Sequence, residues 1–287
     1  MYVLNISSND YANCSHENAN ALRSIGVKCK DFKLYRHNFN YATESNPVDT
    51  KSFQKFVSTF DVVQIFHSDK ELFRLAKLGG AKKIVVYHTG TRYRQNSEMY
   101  DKLFHGCTIV TDQCEFVHND NMHYLAPHVN FKPTIKNNDK LVIGHYPSNP
   151  ENKGTAQIVK MLEPFKNDFE IRIDTKILPH AKNIQRISEC DIYIEMFCLE
   201  QNGKPFGCHG VTAFDAASLG CKVITNNINE QAYIDVYGAS PFFIANTESK
   251  FNSILQLLSK KNVTLPSVFD NHNIKSTGKR ILKLINE

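Results

Sequence analysis

Short apolar runs alternate with amphipathic stretches along nearly the whole chain. The first half has five strand-like runs, at residues 2–6, 61–66, 83–87, 108–110 and 123–126. Helical patterns cover residues 15–24 and 71–78, and glycine follows each of them. Strands separated by helices of about ten residues are typical of βαβ units. The pattern therefore predicts a parallel sheet with helices packed on it.

The alternation stops at residues 130–140, where Pro133, asparagines and charged residues interrupt any apolar periodicity. Such a segment is typical of a linker. Beyond it the pattern resumes, with strand-like runs at residues 141–144, 169–173, 191–195 and 222–225. Helical patterns follow at residues 156–162, 183–189, 211–219, 249–259 and 275–285.

Two such halves predict an α/β fold with two Rossmann-like, doubly wound domains that face each other across a cleft. We place an N-terminal domain at residues 1–133 and a C-terminal domain at residues 141–265. We expect residues 266–287 to form a helix that packs back on the first domain. Ligands of doubly wound sheets bind at the carboxyl ends of the strands.

Composition narrows the class of protein. The 287 residues are 41% hydrophobic and 22% charged, as in globular proteins. No window approaches the roughly 20 apolar residues that span a bilayer, so we expect no transmembrane segment. Polar residues interrupt the first ten positions, unlike a signal peptide. These features predict a cytoplasmic protein.

Cysteine spacing and net charge exclude further classes. No two of the eight cysteines have the close spacing of a compact zinc site, so we expect reduced thiols and no metal. The net charge of +5 favours an anionic ligand but falls short of a dedicated nucleic-acid binder. Basic residues gather at 28–36 and 275–283, where they form either a binding face or an ordinary solvated surface.

The most informative segment is residues 141–155, in which an apolar run leads through a Pro/Ser/Asn turn into Lys153-Gly154-Thr155. A short turn before a helix lets backbone N–H groups converge on an anion at the positive end of the helix dipole. Thr155 is expected to cap that helix, and Lys153 adds a mobile positive charge. The pattern fits an anion site, and it also fits an ordinary strand–turn–helix connection.

A second segment, residues 203–225, carries Gly207 and Gly210 before a predicted helix and strand. Glycines let a backbone approach a ligand closely. Asp215 lies within the helix among apolar neighbours, where an unpaired carboxylate is costly to bury. It either accepts hydrogen bonds from a diol such as ribose or faces solvent.

Together these segments resemble the retaining, metal-independent glycosyltransferases of the GT-B fold, specifically group 4. Residues 147–155 resemble the family's loop with a Lys-Gly pair beside the donor diphosphate. Residues 215–224 resemble the end of its Glu-x7-Glu element, and residues 191–194 its aspartate and apolar strand. In the first half, residues 85–94 resemble a strand that ends in histidine and is followed by arginine.

The resemblance implies roles for individual residues. Lys153 would neutralise the donor diphosphate, Asp215 would hold the ribose hydroxyls, and His88 would be the second catalytic residue. The implied donor-binding residues are Ser148, Asn149, Gly154, Thr155, Gly207, Gly210, Val211, Thr212 and Asp215. On the acceptor or sugar side the resemblance points to Arg94. Asn9, Asp10 and His16 are expected there as well because they follow the first strand, although the family often has glycines at these positions.

The chain departs from the family in one important place. Gly207 stands eight residues before Asp215, where the family has a glutamate that contacts the donor sugar. Glu195 and Glu200 are the candidates to replace that glutamate, and the spacing selects neither.

The implied function is transfer of a sugar, with retention, from a UDP-linked nucleotide sugar to a saccharide or glycolipid. The nucleotide sugar is a co-substrate, and no cofactor or metal is expected. One alternative acceptor is a hydroxymethylated base of DNA, which the basic clusters would suit. A second alternative is a catalytically silent nucleotide-binding module. A Rossmann oxidoreductase is disfavoured, because no Gly-x-Gly-x-x-Gly follows the first strand.

Overall fold

The computed structural model describes residues 1–36, 39–118, 121–260, 263 and 265–287. These residues form two units, each with its own sheet. Unit 1 comprises Met1–His128 and Asn271–Glu287, and unit 2 comprises Val129–Asp270.

The strands are β1 (Tyr2–Asn9), β2 (Lys28–Tyr35), β3 (Asn46–Pro47), β4 (Val62–Ile65), β5 (Ile84–His88), β6 (Thr108–Thr111), β7 (Met122–Tyr124), β8 (Val142–His145), β9 (Glu170–Ile173), β10 (Ile192–Ile194), β11 (Glu200–Gln201), β12 (Lys204–Pro205), β13 (Lys222–Thr225) and β14 (Phe243–Ile244).

The α-helices are α1 (Cys14–Ser24), α2 (Thr50–Phe56), α3 (Lys70–Leu78), α4 (Gly90–Gln95), α5 (Ser97–Leu103), α6 (Thr155–Leu162), α7 (His180–Ser188), α8 (Val211–Ser218), α9 (Glu230–Tyr237), α10 (Glu248–Lys260), α11 (Phe269–His272) and α12 (Ile274–Asn286).

Unit 1 contains a parallel sheet in the order β3-β2-β1-β4-β5-β6-β7. Successive side chains of a strand point to opposite faces, so Val3 and Leu4 enter different apolar clusters. The chain builds outward from β1 to β3 and then returns to β4 on the other side of β1. This reversal makes the β1–β4 junction a topological switch point.

The last helix of the chain belongs to unit 1, where α12 packs against α1. Ile281 and Ile285 are buried in the same cluster as Leu22 of α1. At Gly278 an added Cβ would overlap the carbonyl oxygen of Ala21, so the two helix backbones approach closely.

Unit 2 contains a parallel sheet in the order β14-β13-β10-β8-β9. Its buried strand residues pack against helices α6 and α10 through Ile158 and Phe251. The chain runs from β8 to β9 on one side and then to β10 on the other, so the switch point of this sheet lies between β8 and β10. A separate antiparallel hairpin, β11–β12, follows β10.

Residues 130–140 contain neither helix nor strand, but they do not form a free linker. Thr134 N donates to the Leu219 carbonyl oxygen at 3.2 Å. Asn138 Nδ2 donates to Asp191 Oδ2 at 2.8 Å. The segment lies along unit 2 and belongs to it.

The predicted helices and strands are present, and their ends differ from the prediction by a few residues. Strand β2 was not predicted, because its exposed Lys28 and Lys30 make the segment look like a basic cluster. Cys29 and Asp31, which alternate with these lysines, are buried and show the period of a strand. The short strands β3 and β14, the hairpin and helices α2, α4, α5 and α9 were also missed.

Two further findings concern the chain as a whole. Within the described ranges, no helix has the length and apolar character needed to cross a bilayer. All eight cysteines are among the described residues, and none forms a disulfide.

Candidate functional site

The switch point of unit 2 brings two opposite charges together. Lys153 lies in the loop that follows β8, and Glu195 directly follows β10. Because β8 and β10 are hydrogen-bonded neighbours, both residues lie at the carboxyl edge of the sheet. Open α/β sheets bind their ligands at this position.

Lys153 and Glu195 form an ion pair in which Lys153 Nζ donates to Glu195 Oε1. The Lys153 side chain is 22% exposed, whereas that of Glu195 is only 3% exposed. Burying a carboxylate is unfavourable unless a cation or several donors replace the lost water. Lys153 is therefore both the counter-charge of Glu195 and open to a ligand.

Gly154 sets the position of Lys153. Its φ of +69° lies in the left-handed region, and an added Cβ would overlap the carbonyl oxygen of Phe197. Phe197 N donates to the Lys153 carbonyl oxygen at 3.0 Å. Glycine at position 154 thus lets the loop after β8 lie directly against the chain after β10.

Thr155 does not cap α6, contrary to the prediction. Gly154 occupies the N-cap position, and Thr155 Oγ1 lies 2.9 Å from His145 Nε2. His145 Nδ1 lies 2.8 Å from the Ile194 carbonyl oxygen, which can only accept, so Nδ1 carries the proton. Burial lowers the pKa of His145 to about 4. The imidazole is therefore neutral at pH 7 and accepts from the Thr155 hydroxyl.

Ser148 and Asn149 lie on the exposed part of the loop after β8. Asn149 Oδ1 accepts from Asn152 N at 3.0 Å, and its carbonyl oxygen accepts from Lys153 N at 3.1 Å. Asn149 therefore shapes the turn that presents Lys153.

In the segment before α8, two glycines let the backbone lie directly against the side chains of neighbouring elements. At Gly210 an added Cβ would overlap Glu195 Oε1 and lie 3.1 Å from Lys153 Nζ. At Gly207 it would overlap Nδ2 of Asn226. The space that side chains at these positions would need is filled by Glu195 and Asn226.

Helix α8 carries Val211, Thr212 and Asp215, all partly buried. The Asp215 side chain is 14% exposed, and its Oδ2 lies 3.6 Å from Nε2 of His180, the first residue of α7. Asp215 therefore does not simply face solvent, which was the alternative that its sequence position left open.

Asn226 was not singled out from the sequence. Its Nδ2 donates to the carbonyl oxygens of Cys198 at 2.9 Å and Phe206 at 2.7 Å, and its Oδ1 accepts from Cys198 N at 2.9 Å. One side chain thus closes both ends of the hairpin. Asparagine directly after a buried strand was the available signal, since polar residues at strand ends line functional edges.

In unit 1, His88 ends β5 as expected but does not face an open surface. Its side chain is fully buried, stacks on Tyr93 with ring centroids 4.0 Å apart, and lies 2.8 Å through Nδ1 from Ser68 Oγ. Burial lowers the pKa of His88 to about 3. A direct contact between His88 and a ligand requires Tyr93 or its neighbours to move.

Asp10 and His16 are held within the fold. Asp10 accepts from the backbone N–H groups of Ser15 and His16, at 2.8 and 3.0 Å, which satisfies the first turn of α1. His16 Nδ1 lies 2.7 Å from Asp31 Oδ2. Burial acts to raise the pKa of Asp31, but hydrogen bonds from His16 and Arg23 hold it below its usual value. His16 is therefore a structural partner of β2, and its place on the acceptor side stays a prediction.

The two other residues predicted for the acceptor or sugar side, Asn9 and Arg94, also have partners within unit 1. Asn9 is half-buried and donates to Tyr11 Oη at 3.4 Å. Arg94, expected on the sugar side, pairs with the buried Glu115 through Nε and Nη2. The Arg94 guanidinium also lies 5.2 Å from the centre of the Phe116 ring, so packing accounts for its position.

His67 was missed by the sequence analysis. It follows β4 at the switch point of unit 1, and its Nε2 lies 3.8 Å from Asp10 Oδ1 without a hydrogen-bond partner among the described residues. His67 and the next residue, Ser68, have φ of +63° and +52°. Non-glycine residues in this conformation are strained and cluster at functional sites.

No family model and no curated protein matches the sequence. Solved structures do match. AviGT4, a glycosyltransferase involved in avilamycin A biosynthesis, has a TM-score of 0.59 at 9% identity, over 100% of this chain and 97% of that chain. WaaG, a glycosyltransferase involved in lipopolysaccharide biosynthesis, has a TM-score of 0.59 at 10% identity over 99% of both chains. UGT89C1 of Arabidopsis thaliana, complexed with UDP, has a TM-score of 0.51 at 8% identity over 99% of both.

The chain has the GT-B fold. Units 1 and 2 are its two Rossmann-like domains, each built on a parallel sheet. At such low identity the similarity establishes the fold and leaves substrate and mechanism to the residues themselves.

The family that the sequence resembles has a glutamate at the position of Gly207, and the structure shows why this chain has none there. Asn226 leaves no space for a side chain there. Of the two candidate replacements, Glu195 lies buried against Lys153, whereas Glu200 is exposed on the hairpin. Glu195 is the carboxylate that lies in the site of this GT-B chain.

Proposed function

We propose that this chain is a retaining, metal-independent glycosyltransferase that transfers a sugar from a UDP-linked nucleotide sugar to a hydroxyl of a saccharide or glycolipid. The Lys153–Glu195 pair at the switch point of unit 2 carries the proposal. The GT-B fold supports it, since AviGT4 and WaaG are described as glycosyltransferases and UGT89C1 was solved with UDP.

The donor diphosphate is assigned to the surface between Lys153 and Gly210. Lys153 supplies a positive charge, and the backbone N–H groups in the first turn of α8 are further donors for phosphate oxygens. Lys153 stabilises the nucleotide most when the glycosidic bond breaks, because charge then develops on the leaving phosphate.

The ribose is assigned to Asp215, whose carboxylate accepts hydrogen bonds from two adjacent hydroxyls. His180, 3.6 Å away, limits the positions that the carboxylate can take. Thr212 lies one turn earlier on α8 and faces the same ligand in this proposal.

The proposed transfer is a substitution at the anomeric carbon of the sugar and involves no oxidation or reduction. The bond between the anomeric carbon and the donor phosphate oxygen breaks, and the acceptor oxygen forms a new bond to that carbon on the same face. The acceptor proton passes to the departing phosphate oxygen. Retention follows from attack on the face that the leaving group vacates.

The acceptor is assigned to the carboxyl edge of unit 1. His67 Nε2 is a buried polar atom there that has no hydrogen-bond partner among the described residues, and Asp10 lies next to it. We favour a saccharide or glycolipid acceptor, in line with the lipopolysaccharide pathway named for WaaG.

Thermal unfolding with a panel of UDP, GDP, ADP and their common sugar derivatives tests the proposal. A ligand present at a hundred times its Kd stabilises a protein by about 2.7 kcal/mol. We expect UDP and at least one UDP-sugar to raise the Tm, and no shift with any nucleotide contradicts the proposal.

Turnover and binding measurements distinguish the transferase from a nucleotide-binding module and from an enzyme that acts on DNA bases. Release of UDP from a UDP-sugar with a saccharide acceptor supports the transferase, and binding without turnover on a broad acceptor panel supports the nucleotide-binding module. An enzyme for DNA bases would lose affinity for duplex steeply as salt rises.

A further inference from the structure

Strained backbone gathers at the switch point of unit 1. Of the six non-glycine residues that have a positive φ within the described ranges, four lie in the loops that follow β1 and β4. Ala12 and Asn13 have φ of +53° and +56°, and His67 and Ser68 have φ of +63° and +52°. Such conformations cost free energy and cluster at functional sites. Two strained loops at one junction mark it as a second ligand site of the chain.

The ring of His67 is held in place, but one of its nitrogens is not satisfied. Nδ1 contacts Thr89 Oγ1, and the His67 carbonyl oxygen accepts from Arg92 Nη1 at 3.2 Å. The side chain is 6% exposed, and Nε2 has no hydrogen-bond partner among the described residues. Asp10 Oδ1 lies 3.8 Å from Nε2, which is too far for a hydrogen bond and close enough for one hydroxyl oxygen to bridge the two atoms. A ligand hydroxyl would therefore remove the cost of leaving Nε2 unpaired.

Tyr11 is an exposed aromatic side chain beside this pair. It is 48% exposed, and its ring meets the His67 ring at 80° with the centroids 5.3 Å apart. Because much of the Tyr11 side chain already faces water, it can move away from His67 without opening the core. Aromatic rings bind flat apolar surfaces. A pyranose ring offers such a surface, since its C–H bonds line a face while its hydroxyls project from the rim.

We propose that Tyr11 selects a sugar ring as the acceptor. The Tyr11 ring leaves its place against His67 and packs on the C–H face of the sugar. One hydroxyl of the same sugar then lies within hydrogen-bond distance of His67 Nε2 and Asp10 Oδ1. An open-chain polyol offers similar hydroxyls without the apolar face, so it binds poorly. This inference rests on the proposed function and assigns Tyr11 a specificity-determining role in unit 1.

A fluorescence titration tests the contact. The chain contains no tryptophan, so Tyr11→Trp introduces a single indole at this position and keeps an aromatic face there. The protein is saturated with UDP and titrated, to the solubility limit, with the methyl pyranosides of glucose, galactose, mannose and N-acetylglucosamine. We expect at least one pyranoside to shift the emission in a saturable way, and the open-chain polyols sorbitol and galactitol to leave it unchanged.

The matched reporter is Leu78→Trp. Leu78 is 62% exposed at the end of α3, which leads away from the carboxyl edge of the sheet. We expect its emission to be unaffected by every pyranoside, which separates binding at Tyr11 from a general effect of sugar on the solvent.

The affinity of the responsive pyranoside measures the role of the ring. Its Kd is determined by calorimetry in wild-type protein, Tyr11→Ala and Tyr11→Phe, each saturated with UDP. We expect about fivefold weaker binding in Tyr11→Ala and a Kd within about twofold of wild type in Tyr11→Phe, because phenylalanine keeps the aromatic face. The Kd of UDP is the same in all three proteins, since Tyr11 belongs to unit 1.

The inference is overturned if no pyranoside shifts the emission of Tyr11→Trp, if the polyols shift it equally, or if Tyr11→Ala binds the pyranoside as tightly as wild-type protein. A response to the nucleoside hydroxymethyldeoxycytidine with none to pyranosides also overturns it and favours a DNA base as acceptor. In each case the protein still binds UDP, so its role as a glycosyltransferase stands. If wild-type protein binds no nucleotide, the proposed function fails and the inference fails with it.

Discussion

At the scale of the residue, the two sheets place neutral histidines at the carboxyl ends of strands. His145 ends β8 and His88 ends β5, and burial lowers the pKa of His145 to about 4 and that of His88 to about 3. Each ring is held through Nδ1, to the Ile194 carbonyl oxygen and Ser68 Oγ respectively. Both imidazole rings are therefore uncharged, and their contacts hold the neighbouring loops in place.

The histidine pKa values predict acid sensitivity. An unfolded chain binds a proton at His145 with a pKa near 6.5, whereas the folded protein resists protonation down to about 4. The stability that the neutral ring provides is complete above pH 6.5 and is lost as the pH falls toward 4, at about 1.4 kcal/mol per pH unit.

We expect His145→Gln to flatten the fall in the free energy of unfolding between pH 6.5 and pH 4.5, as measured by urea denaturation. His105→Gln, at an exposed position, is the control and keeps the wild-type slope. An unchanged slope in His145→Gln contradicts the assigned protonation.

At the scale of the element, the site depends on loops that the strands hold in contact. Gly154, Gly207 and Gly210 allow the backbone to pass where any side chain would collide. The hairpin turns through Asn202 and Gly203, with φ of +53° and +72°, as a tight two-residue hairpin requires. Asn226 then ties the ends of the hairpin to β13.

The substitution Asn226→Asp tests whether the Asn226 amide holds the ends of the hairpin against β13. The variant replaces an amide donor with a carboxylate that faces two carbonyl oxygens, so we expect a loss of about 3 kcal/mol in the free energy of unfolding. The control is Asn152→Asp, because Asn152 Oδ1 accepts from Gln201 and a carboxylate can accept equally well. Equal stability of the two variants would show that the amide does not hold the hairpin.

The sequence predicted the alternating elements well, because buried parallel strands are continuous apolar runs bounded by turns. It missed β2, where exposed lysines mask the alternation, and α4 and α5, which are short and contain few apolar residues. It identified Lys153 from its place after a strand but could not select Glu195 over Glu200. Lys153 and Glu195 are 42 residues apart in sequence, and only the strand order makes them neighbours.

At the scale of the whole molecule, both units follow the same plan. Each is a doubly wound parallel sheet, and each places a carboxylate near a nitrogen-bearing side chain at its switch point. The pairs are Asp10 with His67 in unit 1 and Glu195 with Lys153 in unit 2. The sequence predicted the two Rossmann-like domains, whereas it assigned to Thr155 the N-cap position of α6 that Gly154 occupies.

The central claim is that Lys153 in unit 2 binds the diphosphate of a sugar donor. The most direct measurement is calorimetric titration of UDP into wild-type protein, Lys153→Met and Lys160→Met, the last an exposed lysine on α6. A charge-assisted hydrogen bond contributes roughly 1.5–3 kcal/mol, so we predict a Kd at least tenfold weaker in Lys153→Met and unchanged in Lys160→Met. Equal UDP affinity in Lys153→Met and wild-type protein would contradict the account.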